Sequence, residues 1–448
     1  MRGSLLGATL IAALGGLLFG FDTAVISGTT VWLRQVFDLS DFWLGFTVAG
    51  ALIGTIVGAM AAGLPADRIG RRRTLMVIAV LYFVSAVGTA LPWDWYSFVF
   101  FRFLGGLGVG GASVVAPMYI AEISPARLRG RLVALTQFNI VLGILLAFFS
   151  NFVIAQLGLG SAEWRWMFGV EACPAAAFFG LLFFVPYSPR WLVSQGRLDE
   201  ARTVLEQLGT DADSVADQLR EIQASLNVQH HTLHEQLFCR SYLRPVLLAV
   251  AIAMFNQLSG INALMYYAPD IFKMAGAGAN AALLQAVAIG GTNLVFTMAA
   301  LAVIDHFGRR RLMLVGSVGY ILSLSGTAWA FYTYGQNFTP TGGAIVLVSL
   351  LVFIASHAFG QGAVIWVFIS EIFPNRVRAR GQALGSFTHW FMAAAISWTF
   401  PMFAAKSGGH TFAFYAAMMV LQLLWVLLVM PETKGVPLEQ IQKRLGIE

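Results

Sequence analysis

The sequence predicts an all-α membrane protein with twelve transmembrane helices in two six-helix bundles, and three observations carry that expectation. The first is composition. Of 448 residues, 58% are hydrophobic and 11% charged, with a mean hydropathy of +0.73, whereas soluble domains are about a quarter charged. The second is a series of apolar runs near the ~20 residues that a helix needs to cross the hydrocarbon. They fall at about 5–28, 43–65, 74–92, 96–121, 132–157, 165–186, 244–270, 281–304, 312–333, 344–370, 381–404 and 410–430. The third is an internal repeat that makes the last six runs a second copy of the first six.

The first run, LLGATLIAALGGLLFGFDTAVISG, places Asp22 deep within an apolar span. A carboxylate at the centre of a membrane helix costs roughly 2.5–3.5 kcal/mol, so it needs a cation or a water-filled cavity and is a functional candidate. Arg102, in the fourth run between SFVFF and LGGLGVGGASVV, is the cation on offer. The bland alternative is a purely structural ion pair. The run reads as a retained span rather than a signal peptide, being too long and lacking a convincing small-x-small site before Asp22. In the second run Gly50, Gly54 and Gly58 recur every four residues, a spacing that lets helix backbones meet. Gly106 to Gly111 formally satisfies GxGxxG, yet no strand precedes it, so helix packing is expected there rather than a dinucleotide site.

The repeat lies in the connections. ADRIGRRR follows the second run and IDHFGRRR the eighth; AEISPARLRG follows the fourth and SEIFPNRVRARG the tenth. Each half therefore ends one helix with an acid and opens the next with a basic cluster. Asp67, Arg71, Glu122 and Arg129 in one half and Asp305, Arg309, Glu371 and Arg378 in the other are expected to form a cytoplasmic gate of ion pairs that break as that face opens. Charge retention alone would account for the arginines but not for the recurring acids and glycine.

Lys and Arg fix the orientation. Of 28, 23 fall at the N-terminus, on even-to-odd connections, in the central loop or on the tail, against Arg34, Arg165, Lys273 and Lys406 on the other side. Positive loops stay inside, so both termini are expected in the cytoplasm of a multi-pass cell-membrane protein. The basic pI is an orientation signal, and no basic domain supports nucleic-acid binding. Cys173 and Cys239 differ in depth and compartment and are not expected to pair. No HExxH, CxxC or facing pair of aspartates occurs, so neither metal, cofactor nor enzymatic activity is expected.

The domain division read from these patterns is an N-terminal bundle at 1–186, a cytoplasmic linker at 187–243, a C-terminal bundle at 244–430 and a tail at 431–448. In the linker, Ser188-Pro189 reads as a helix start, RLDEARTVLEQLG as a helix, Val215, Leu219, Ile222 and Leu226 as an apolar stripe, and Thr232 to Glu235 as a capping box. In the tail, Pro437 opens a helix with Leu438, Ile441 and Leu445 on one face.

The segments GFDTAVISG, ADRIGRRR, RFLGGLGVGGAS, PMYIAEISPARLRG, SPRWLVSQGRLDEA, QLSGINALMYYAP, DHFGRRR, SEIFP and PETKG occur in this order along nearly the whole chain. In them the chain resembles the sugar porter family of the major facilitator superfamily, which contains bacterial proton-sugar symporters and animal glucose facilitators. The resemblance implies a two-bundle transporter that works by alternating access in a lipid bilayer, with a monosaccharide site near the midplane, and it is expected to act as a monomer.

Carried over residue by residue, the family's sugar ligands fall on Gln137, Gln257, Asn262, Tyr266, Asn293, Trp366 and Trp390. Amides that donate and accept suit sugar hydroxyls, and an indole face suits the sugar's C–H surface. Gln257 and Asn262 are five apart, about 500° along an ideal helix, so a shared site calls for an irregular Ser259-Gly260 region. Asn256 stands where the family usually has Gln, His389 where it has Gln or Asn, and Tyr187 where it has Glu. His357 and His389 are read as hydrogen-bonding residues before titrating ones. Asp22 with Arg102 favours proton symport, and Glu171 matches an acidic position of the family's symporters. A sugar uniporter is the alternative, and a non-transporting sugar sensor a third reading, set against a tail that ends sixteen residues after Glu432. An exporter of drugs or organic anions would leave the ordered sugar motifs unexplained.

Overall fold

The computed structural model describes residues 3–125, 127–209, 212–231, 236–335, 337–374, 376–436, 440–441, 443 and 445–447, without the side chains of 212–213, 227–231 and 305. Among the described residues, twenty α-helices run in chain order: α1 (Gly3–Val25), α2 (Thr30–Val36), α3 (Asp41–Ala61), α4 (Gly63–Ile69), α5 (Arg71–Ala90), α6 (Trp95–Ile123), α7 (Arg129–Gln156), α8 (Glu163–Gly169), α9 (Ala172–Leu181), α10 (Pro189–Ser194), α11 (Leu198–Leu208), α12 (Ala212–His231), α13 (Leu243–Leu258), α14 (Ile261–Met274), α15 (Ala279–Phe307), α16 (Arg309–Tyr334), α17 (Pro340–Phe359), α18 (Gln361–Ile372), α19 (Arg378–Lys406) and α20 (Gly408–Leu428). The described residues contain eleven helical segments long and apolar enough to cross a membrane. The expected run at 381–404 lies in α19, whose 29 residues are long enough but include Gln382, Ser386, Thr388, His389 and Ser397 and are less apolar. The protein is an all-helical, multi-pass membrane protein.

Local chemistry sets the helix ends. Asp94 and Ser97 form a reciprocal capping box at α6, the Ser97 N–H donating to Asp94 Oδ1 at 2.7 Å. Ser188, Thr339 and Ser407 cap α10, α17 and α20, and Pro189 and Pro340 occupy first-turn positions where a missing N–H costs nothing. The repeated glycine of the GRRR motifs has a backbone reason. Gly70 and Gly308 open α5 and α16 at φ +91° and +88°, a region that favours glycine.

The chain forms two compact units that interleave along it. The first comprises Met1–Asp22, Ile53–Ile144 and Phe168–Glu235, and the second Thr23–Leu52, Leu145–Met167 and Gln236–Glu448. Within the first, α3 and α6 touch backbone to backbone. A Cβ on Gly54 would lie 2.2 Å from the Phe103 carbonyl oxygen, on Gly58 2.4 Å from that of Leu107, and on Gly110 2.2 Å from that of Thr55. Its apolar core joins Ala12, Tyr82, Val109, Tyr119 and Phe178. Trp191, Leu192, Val193 and Ala201 form a small cluster with Leu219, Ile222 and Leu226, and Val215 is buried too, so the linker helices use the expected stripe. The expected capping box at Thr232 to Glu235 lies outside the described residues. In the second unit, Ile252, Phe368, Ile372 and Val426 share a core with Ile441 and Leu445 of the tail, whereas Pro437 and Leu438 lie outside the described residues.

Among the described residues, three spans are discontinuous. Val170 and Glu171 separate α8 from α9, Ser259 and Gly260 separate α13 from α14, and Gly360 separates α17 from α18. Such breaks free backbone groups that hydrocarbon cannot satisfy, and in membrane proteins they persist where protein or a cavity surrounds them.

Candidate functional site

In the first unit, α1 and α6 bring Asp22 and Arg102 together as expected. Arg102 Nη1 donates to Asp22 Oδ1 at 2.8 Å and Nη2 to the Asp22 carbonyl oxygen at 3.3 Å. Their side chains are 2% and 1% exposed. The guanidinium lies 5.7 Å from the centre of the Phe168 ring. Asp22 Oδ2, Arg102 Nε and Glu171 Oε1 are buried and make no hydrogen bond with the described residues. Glu171, at the break before α9, is buried within electrostatic range of both partners. A pair held through one carboxylate oxygen leaves the other able to take a proton without displacing the guanidinium. Ser85 and Tyr82 of α5 complete this surround: a Cβ on Gly105 would meet Ser85 Oγ at 2.4 Å and Asp22 Oδ1 at 3.2 Å.

The second unit gathers a polar cluster around the break at Gly260. That glycine has φ +85°, and the chain turns there so that Asn262 Nδ2 donates to Gln257 Oε1 at 2.8 Å despite the five-residue spacing. Gln257 Nε2 donates to Asn256 Oδ1 at 2.9 Å and lies 3.3 Å from both ring nitrogens of His389. The His389 ring is flanked by Trp366 and Trp390, with centroids 5.0 and 4.8 Å away. Trp390 is buried, whereas Trp366 is 40% exposed. Tyr266 is buried on α14, and Asn293 on α15 accepts from the Thr297 hydroxyl at 3.4 Å. Gln137 is half-buried on α7, in the first unit.

The arginine clusters repeat as well. Arg71 reaches Glu122 at 2.9 Å and Asp67 at 3.0 Å, and donates to the Ala66 carbonyl at 3.0 Å. Arg309 reaches Glu371 at 2.8 Å and donates to the Ile304 carbonyl at 3.4 Å. Arg129 and Arg378 each donate to a backbone carbonyl, of Ala121 at 3.1 Å and Phe373 at 3.2 Å. The side chain of Asp305 lies outside the described residues.

A family model described as "Sugar (and other) transporter" matches residues 8–445. The chain belongs to this sugar transporter family. Among the relatives of this sugar transporter, the D-xylose-proton symporter of Escherichia coli strain K12 is 39% identical, with 97% of this chain and 94% of the relative covered. The arabinose-proton symporter of Bacillus subtilis strain 168 is 36% identical over 96% and 93%. The solved structure of the major facilitator superfamily proton:xylose symporter XylE bound to 6-bromo-6-deoxy-D-glucose matches with a TM-score of 0.80 at 38% identity, covering 99% of each chain.

Several partners of this sugar transporter's charged clusters are not evident from residue type alone. Ser188 donates to Glu122 Oε2 at 2.5 Å, and Trp191 Nε1 to the Asp67 carbonyl at 3.0 Å. In the second repeat Glu432 accepts the backbone N–H groups of Arg309 and Arg310 at 3.0 and 3.1 Å, and Thr433 donates to Glu371 at 2.6 Å. The signal was present in SPRW and PETKG, which stand at corresponding places after the sixth and twelfth runs. Asp270, which accepts from the Thr30 hydroxyl at 2.6 Å within the second unit, carried no motif that would single it out.

Proposed function

We propose that this chain imports a monosaccharide across the cell membrane together with a proton, by alternating access, with both termini in the cytoplasm and one chain sufficient for transport. The observation that carries the proton is the buried pair of Asp22 and Arg102, held through Oδ1, with Oδ2 making no hydrogen bond to the described residues. An ion pair enclosed this fully resists rearrangement, because separating its members would strand a charge in low dielectric. Protonation of Asp22 removes the carboxylate's charge and weakens its attraction to Arg102, so that the helices bearing the two residues can part; release of the proton inside resets the pair. Glu171 lies near enough to assist. The sugar is held by hydrogen bonds from Gln257, Asn262, Asn256, Asn293 and Tyr266, with His389 and the indoles of Trp366 and Trp390 beside its C–H face, and Gln137 is a further ligand. The division into bundles at 1–186 and 244–430, joined by 187–243 and followed by 431–448, is the frame in which the repeats move.

The test is uptake of labelled D-xylose, arabinose and glucose into proteoliposomes at two pH gradients. Accumulation that follows the imposed proton gradient is expected. In Asp22→Asn, which mimics the protonated carboxyl, sugar-for-sugar exchange should persist while gradient-driven accumulation disappears. Accumulation by that variant at the parent's level would remove Asp22 as the coupling group. Flux in the parent that ignores the gradient would make the chain a uniporter, and binding without flux a sensor.

A further inference from the structure

The second unit contains a buried chain of polar side chains that neither the sugar ligands nor the arginine clusters require. Ser317, Tyr320, Gln361 and Gln422 are all fully enclosed. Gln422 Nε2 donates to Ser317 Oγ at 2.7 Å, and Gln361 Nε2 donates to Gln422 Oε1. The Tyr320 hydroxyl lies 3.3 Å from Gln361 Oε1 and 2.5 Å from His357 Nδ1, and Ser259, whose hydroxyl donates to the Asn256 carbonyl at 2.6 Å, is near the same hydroxyl. Buried polar groups are costly unless partnered, so this chain favours one arrangement of the helices that carry it.

Two of the discontinuous spans meet this chain. Ser259 adjoins the Gly260 break, and His357 and Gln361 flank the Gly360 break. A Cβ on Gly360 would lie 3.0 Å from Gly316 Cα, so α16, which carries Tyr320, meets the second break closely. Gln257 and Asn262 border the first break, and Trp366 follows the second on α18. The repeat adds an independent observation. Tyr320 stands eleven positions after Arg309, as Tyr82 does after Arg71, and Tyr82 is the buried neighbour of Asp22 and Glu171. Where the first repeat sets charges beside its tyrosine, the second sets amides and a histidine.

We propose that Tyr320 is a positioning residue that ties the two helix breaks together, so that Gln257, Asn262 and Trp366 meet the sugar as one preset group. The proposal rests on the sugar-site reading above. Tyr320→Phe removes the hydroxyl while keeping the ring that packs at 5.1 Å on Phe353. Calorimetry on the full chain, titrated with D-xylose, arabinose and glucose, should show affinity weakened roughly 3- to 30-fold, the loss of one or two hydrogen bonds. Adding Trp366→Ala should then cost less than it does in the parent, because the indole is already misplaced. Parent affinity in Tyr320→Phe, strictly additive losses, or a lowered thermal midpoint with affinity unchanged would each overturn the proposal. If Tyr320→Phe does not fold, Gln361→Met, which removes the amide link, is read by the same criteria. Parent affinity in both Gln257→Ala and Trp366→Ala would instead overturn the sugar-site reading itself, which keeps the two failures distinct.

Discussion

At the scale of single residues, the amides carry the more readily measured prediction. Gln257 is bonded on both sides, accepting from Asn262 and donating to Asn256, so a ligand that takes up its amide must also satisfy those two asparagines. Gln257→Ala removes one or two hydrogen bonds and strands their partners, a cost of about 1–3 kcal/mol, or roughly 5- to 150-fold in sugar affinity. Gln137→Ala should weaken binding by a similar factor. Calorimetric titration checks both, and unchanged affinity removes the residue from the site. Trp366→Ala should weaken binding with the fold intact, since an indole 40% exposed contributes little packing. Asp22 and Arg102 were legible because a charge in an apolar run demands an explanation wherever it falls. Tyr82, Ser85 and Asp270 were not, because a polar residue near a span's end or among small residues has many ordinary uses.

At the scale of elements, glycines and caps decide what sequence periodicity cannot. Apolar runs locate spans but are silent on where a span is cut. The irregularity at Ser259-Gly260 was readable only because two candidate ligands stood five apart, whereas the cut at Gly360 offered no such conflict. Gly260→Ala would force a Cβ into a backbone at φ +85° and within 2.7 Å of the Tyr415 ring. It should cost more than about 1 kcal/mol and disturb Asn262's reach to Gln257, seen as a lower thermal midpoint together with weaker sugar binding. The opening of α16 makes a second test. Glu432→Ala leaves the N–H groups of Arg309 and Arg310 without their acceptor, and losing a cap costs roughly 0.5–2 kcal/mol. The thermal midpoint in detergent should fall, and fall less for Glu432→Gln, which keeps an accepting oxygen. In the first repeat Tyr187 occupies the corresponding place, stacked on Trp191 and 5.0 Å from the Arg72 guanidinium, so the two repeats close the same helix end by different chemistry.

At the scale of the whole molecule, the positive-inside bias and the repeated clusters belong to one argument. Twenty-three of 28 basic residues fall on the proposed cytoplasmic side, yet among the described residues only Arg71 and Arg309 of these are buried. Arg71 and Glu122 have side chains 10% and 9% exposed, and Arg309 and Glu371 10% and 24%. Topology needs no burial, and exposed pairs contribute only about 0–1 kcal/mol. Enclosed pairs joined by Ser188, Glu432 and Thr433 are built for more than orientation, because they link several helix ends that alternating access must rearrange. If they hold the cytoplasmic face closed, Glu122→Gln and Glu371→Gln should weaken the closed state by about 1–3 kcal/mol each, shifting the closed-to-open ratio roughly 5- to 150-fold. A full reversal from 1:99 to 99:1 takes about 5.5 kcal/mol, so one substitution should broaden the distribution and the pair together should move its main peak. Arg129→Gln, which loses only a bond to the Ala121 carbonyl, should have the smaller effect. Electron-spin distance distributions between cytoplasmic helix ends in reconstituted protein measure this directly. Longer distances in the two glutamine variants are expected, and distributions identical to the parent's would reduce both clusters to signals of topology.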